Sequence, residues 1–194
     1  VNLATAFTGG DKLAARLKEI ADGLDKGGQL RCGFLEGSTK ADGQPLPPIA
    51  AVHEFGGTIE HPGGTRYIND AVVGKGDKAH IGTRFVGKDF VGETETTKAH
   101  AITIPARPFF RPMIAKHQDE WGDALAAELR ANDYDAQAAL KAVGKMMESQ
   151  LVQSINDVTS PPLSAATVRR KGFEKPLIDT GVMWQSVDSE VSEP

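Results

Sequence analysis

Apolar and polar positions along this chain change period several times, and each change marks an element. In "DKLAARLKEIADGLDKGG" Leu13, Leu17, Ile20 and Leu24 recur every three to four residues, the spacing of one helical face. Asp11 suits an N-cap or a first-turn acid, and Gly27-Gly28 end the helix. In "QLRCGFLEG" the period shortens. Leu30, Cys32 and Phe34 alternate with Arg31 and Gly33, which predicts a strand with one buried face. After the turn-rich "STKADGQPLPP", the segment "PPIAAVHEFGG" reads as a short helix. Proline stands at its start and Gly56-Gly57 at its end.

Residues 58 to 99 lose any long period. Thr, Ile, Tyr, Val and Phe occur in short pieces punctuated by Gly and Asp, which predicts two or three strands in a hairpin-like excursion. From Phe109 to about Arg130 the helical spacing returns through Phe110, Met113, Ile114, His117, Trp121, Leu125 and Leu129. "ANDYD" breaks it, and Asp133 or Asp135 is placed to cap a second long helix. Its stripe is Leu140, Val143, Met147, Leu151 and Ile155. A short basic helix is expected near Ser164, then a turn at Asp179-Thr180-Gly181 and a last short helix or strand. The order predicts an α+β fold: a small antiparallel or mixed sheet packed by long amphipathic helices. It is read as one domain over 1–194 with residues 61–99 as an inserted β-excursion.

Charge narrows the function classes. The net charge is −4. Residues 1–100 carry 12 basic and 13 acidic side chains, and residues 101–194 carry 10 and 13. Neither half has the basic footprint of a nucleic-acid binder, so a double-stranded DNA-binding accessory protein is the weakest reading. The single cysteine, Cys32, makes no intrachain disulfide and no cysteine-based zinc site. It is expected as a small core residue. No apolar run approaches the ~20 residues of a membrane span, and no signal-peptide pattern is read at the start.

Motifs for chemistry are sparse. His53-Glu54 is followed by "FGG", which ends the helix before a second HExxH ligand comes round. No GxSxG is present, and "GKGDK" lacks the spacing of a phosphate loop. No catalytic group, metal or cofactor is therefore expected. A metal-dependent hydrolase acting on cell wall or nucleic acid through His53, Glu54 and another histidine stands as the alternative. "RRKGFEK", from Arg169 to Lys175, is the densest basic run. It reads as a solvated helix end suited to the C-terminal dipole, or as a surface lining a channel.

"IPARPFFRP", residues 104–112, lies between the β-type "AHAITI" and the first long helix. Pro105 and Pro108 forbid a regular helix or a central strand there. Pro108 fits the first turn of the helix that follows. Phe109 and Phe110 are placed to seal a core where strand meets helix, or Arg107 and Arg111 face a partner from that corner.

Taken in order, "IAAVHEFGG", "ITIPARPFFRPMI" and "SPPLSAATVRRKGFEKPLIDTGVMWQSV" resemble the virion morphogenesis, or tail-completion, proteins of tailed bacteriophages, especially the Mu-like and lambdoid ones. The late segment "LIDTGVMWQS" runs from Leu177 to Ser186. The resemblance covers about Gly33 to Val187. It implies a non-enzymatic virion protein of the head–tail neck, assembled in the host bacterial cytoplasm. Such a protein forms a ring, hexameric or matched to the tail, between the head connector and the tail-terminator or tail-tube proteins. Its lumen passes DNA without sequence readout, and no membrane is involved. The residues expected at contacts are His53, Glu54, Arg107, Phe109, Arg111, Arg169 and Arg170. If a final strand closes the domain, "SVDSEV" supplies it.

Overall fold

The computed structural model describes residues 10–40, 42–73 and 80–192. In chain order the elements are α1 (Gly10–Leu24), β1 (Gln29–Gly33), α2 (Leu46–Phe55), β2 (Gly57–His61), β3 (Arg66–Val73), β4 (His80–Phe85), β5 (Glu95–Thr96) and β6 (His100–Ile104). There follow α3 (Phe110–Ala131), α4 (Ala136–Asp157), α5 (Ala165–Lys171), α6 (Val182–Gln185) and β7 (Asp188–Ser192). The fold is α+β, and the strand pairs among the described residues are all antiparallel. The chain divides into two compact units. Val1–Phe55 with Ala106–Pro194 makes the first, and Gly56–Pro105 the second.

In the first unit α3 and α4 form a helical hairpin. The expected alternatives for the α4 cap resolve to Asp135, whose carboxylate accepts the Ala138 N–H at 3.0 Å. Asp133 turns instead, at φ +56°, to pair with Arg16 of α1. The α4 stripe buries Val143, Leu151 and Ile155. Leu151 and Ile155 meet Ala50 of α2, Phe109, Met113 of α3, Leu177 and Met183 of α6 in the core, with Phe34 and Trp184 packed against its edge.

The expected strand at "QLRCG" forms, and its partner is the last strand. β1 pairs with β7 in the register Leu30↔Val191, Arg31↔Glu190, Cys32↔Ser189. Period-2 alternation turns Leu30, Cys32, Ser189 and Val191 inward. α4 comes so close behind the pair that a Cβ at Gly144 would stand 3.0 Å from Leu30 Cδ1 and closer still to Ser189 Oγ. Cys32 is only half-buried, and that burial, before the nearby carboxylates of Glu148 and Asp188, pushes its thiol up to about 11.

Two expectations change. The α1 stripe is not buried: Leu13 is 59% and Leu17 58% exposed. The described residues of 56–105 hold five strands where two or three were expected. β2 pairs with β6, and β3 lies between β4 and β5. Many of these strand residues are polar, and no described side chain of this unit is buried, so no hydrophobic period announced them. Arg66 organises one side of it. Its guanidinium donates to Thr94 Oγ1 and to the carbonyls of Lys88 and Phe90 at 3.0–3.3 Å. "GKGDK", with Gly74 and Gly76, falls outside the described residues.

Core and stripe leucines are expected to respond differently. In dilute solution Leu151→Ala lowers the urea-unfolding free energy by about 2–5 kcal/mol, because Leu151 is fully buried. Leu17→Ala changes it by no more than ~0.5 kcal/mol.

Candidate functional site

The site grows from the problem of starting α3. A helix leaves its first four N–H groups without intrahelical partners. Here these belong to Phe109, Phe110, Arg111 and residue 112. Residue 112 is proline, which has no N–H, so three donors remain. The N-cap residue, Phe109, offers no side-chain acceptor. Pro108 thus precedes the N-cap, and the proline within the first turn is Pro112, a correction to the sequence expectation.

Glu54, on the last turn of α2, supplies the acceptor. One carboxylate oxygen accepts the Phe109 N–H at 2.7 Å and the Phe110 N–H at 2.9 Å. The other accepts the Arg111 N–H at 3.2 Å and Arg111 Nε at 2.9 Å. Arg111 also donates to the Glu54 carbonyl at 3.0 Å. Glu54 is 4% exposed. Burial alone would raise its pKa, but the backbone donors and Arg111 outweigh it and hold the carboxyl below its ordinary 4.5. The positive end of the helix dipole favours the same charge.

Around this carboxylate each expected contact residue has a definite place. Phe109 is fully buried, edge-on to Phe34 with ring centroids 6.1 Å apart, and its carbonyl accepts Ser154 Oγ at 2.6 Å. Arg107 is buried too. Its backbone N–H donates to the His53 carbonyl at 2.7 Å, and its guanidinium to the carbonyls of Pro161 at 3.0 Å and Pro162 at 3.4 Å. Among the described residues it has no carboxylate partner. His53 is half-buried, with Nδ1 enclosed and unpartnered. Its pKa is lowered, by burial first and by the Arg107 charge second.

Glu54, Phe109 and Arg107 are therefore engaged inside their own unit. The reason is the polar demand of a proline-flanked corner. Arg111 keeps most of its side chain exposed, with its guanidinium 5.1 Å above the Phe55 ring. Arg169 and Arg170 are exposed on the last turn of α5, apart from this cluster. The basic run splits there. Lys171 donates to the carbonyls of Lys175 and Ile178, and Lys175 to that of Asn156, so both lysines tie down the loop.

One feature escaped the sequence. The end of β1, α2 and the first turns of α3 enclose an apolar groove of about 430 Å³, lined among others by Phe34, Pro47, Phe55, Phe110 and Ile114. Three distant segments build it, so no local pattern marks it. Phe55 on its lip is 67% exposed.

Among the described residues no three His, Cys, Asp or Glu side chains are grouped to hold a metal ion. No helix among them is long and apolar enough to cross a membrane. In comparisons with known proteins the chain matches no family model, no curated protein and no solved structure.

Glu54→Gln replaces one acceptor oxygen by a donor amide and removes the charge, and is expected to cost about 2–3 kcal/mol in denaturant unfolding. The folded pKa of Glu54 lies below the unfolded value. Its stabilisation is therefore complete above about pH 4.5 and is lost as pH falls through the folded value. Stability measured across that range should fall more steeply for the native chain than for Glu54→Gln. In Arg107→Met the His53 titration followed by NMR should move upward yet stay below 6.5, because the charge is gone and the burial remains.

Proposed function

We propose that the chain is a structural subunit of a tailed-phage neck, forming a ring that joins the head connector to the tail and completes the tail. The observation that carries this reading is a convergence. The three segments on which the resemblance rests lie far apart in sequence, yet each puts a side chain into one core. "IAAVHEF" gives Ala50, "IPARPFFRPMI" gives Phe109 and Met113, and "LIDTGVMWQS" gives Leu177 and Met183. The first two segments also share the Glu54 bonds at the α3 start. What recurs across them is a scaffold, and the polar groups at its centre are spent on backbone donors and acceptors.

That distribution favours a geometric role over a catalytic one. Both oxygens of Glu54 already accept donors, which leaves no lone carboxylate for a general base. The subunit supplies a rigid wedge, and head-to-tail contacts between copies close a ring. Exposed Arg169 and Arg170 recur around such a ring and add to a lumen charge that DNA passes without base readout.

Antibody labelling of purified virions, imaged by electron microscopy, tests the proposal. Label at the head–tail joint, with rotational symmetry in the density, is the expected result. Virions that carry no label anywhere would sink it.

A further inference from the structure

The first unit carries two uncovered apolar surfaces of opposite shape. One is convex. Leu13, Leu17 and Leu24 run exposed along α1 with Ile20 part-buried between them, and Gly10, Ala14 and Ala21 lie on their flank with no charge among them. The other is the concave groove beside Phe55. A helix that is amphipathic but leaves its apolar face unburied has not met what that face fits.

Their positions say which surface meets which. α1 lies against the turn between α3 and α4. Arg16 pairs with Asp133 there, and Gly23 approaches so closely that a Cβ would come within 2.6 Å of the Tyr134 carbonyl oxygen. Arg16 and Gly23 stand roughly a quarter turn of the wheel from the leucines, so seating α1 on its own unit turns the stripe outward. The groove is at the other end of α3, beside Phe110 and Ile114. Twenty-two residues of helix separate the two by about 33 Å. A helix stripe at one end and a helix-receiving groove at the other are the two halves of a heterologous contact.

We infer that α1 of one copy docks its Leu13–Leu17–Ile20–Leu24 stripe into the groove at Phe34, Phe55, Phe110 and Ile114 of the next copy. The occupant is a second copy of this chain because one such contact, repeated, covers both surfaces in every subunit. A two-fold contact through either surface alone leaves the other in water. The contact is argued from these surfaces, and it rests on the neck reading only for closure into a ring.

Sedimentation of the full chain tests it with changes at two exposed positions, Leu17→Asp in the stripe and Phe55→Asp at the groove. The native chain should associate with rising concentration, and each variant alone should associate about tenfold or more weakly. Mixing the two variants should restore a 1:1 dimer and nothing larger, since one keeps its groove and the other its helix. Circular dichroism of each variant checks its fold. Association unaffected by either change overturns the docking and leaves a ring built on other surfaces. A native chain and a mixture that stay monomeric to roughly millimolar concentration also overturn it, and the neck reading then rests on the virion label alone.

Discussion

Three backbone amides at the start of α3 have no partner in their own helix and no capping side chain beside them. Satisfying them from Glu54 fixes much else. The carboxylate must be ionised, buried and held at the end of α2. This pins α2 across the α3 N-terminus and puts Phe109 into the core. The chain entering the corner is then held from its other side, where Arg107 reaches the carbonyls of the loop after α4. A buried charge is costly unless its hydrogen bonds are complete. Glu54 meets that condition with four donors, so the corner behaves as one piece.

The helices were the most legible part of the sequence, because three of them carry long stripes at helical spacing. The short basic helix was expected near Ser164, and there the Ser164 side chain caps it by accepting the Thr167 N–H. The alternation in "QLRCG" gave the strand but not its partner, since pairing is decided by the distant register with "DSEVS". The α1 stripe shows the limit of periodicity. It identifies a face that seeks burial, and says nothing of whether the burial lies within the same chain. The Glu54 corner was half-visible. Proline and phenylalanine marked a strand-to-helix corner, while nothing local to residues 104–112 pointed back to a glutamate on another helix. Lys171 and Lys175 read as free charge, although carbonyl oxygens at a loop claim them.

The second unit holds together by other means. Without a buried side chain among its described residues, it relies on strand ladders, the Arg66 fan and short polar links. Tyr67 donates to Glu95 at 2.6 Å, and His61 accepts the Gly63 N–H at 3.0 Å. Small sheets with no apolar face to bury are marginal in water. Its Phe85, though exposed, meets Tyr67 edge-on with ring centroids 6.4 Å apart, and Val91 stands in water. The contrast with the first unit is one of kind. One unit is set by a core with a polar keystone, the other by hydrogen bonds spread along its strands.

Pairing β1 with β7 also imposes an order on the making of the protein. A ribosome releases the chain from its N-terminus, and Gly56–Pro105 emerges as one uninterrupted stretch that already contains all its strands. The first unit has then produced α1, β1 and α2, but Glu54 has no amides to accept and β1 has no neighbour. Phe109, Leu151 and Met183 follow in turn, and Gly33 meets Asp188 only when nearly all of the described chain has been synthesised. Long-range closure of this kind comes late in folding. Throughout elongation α2 exposes a carboxylate and an apolar face side by side, so the segment that later anchors the α3 start waits longest for its partners.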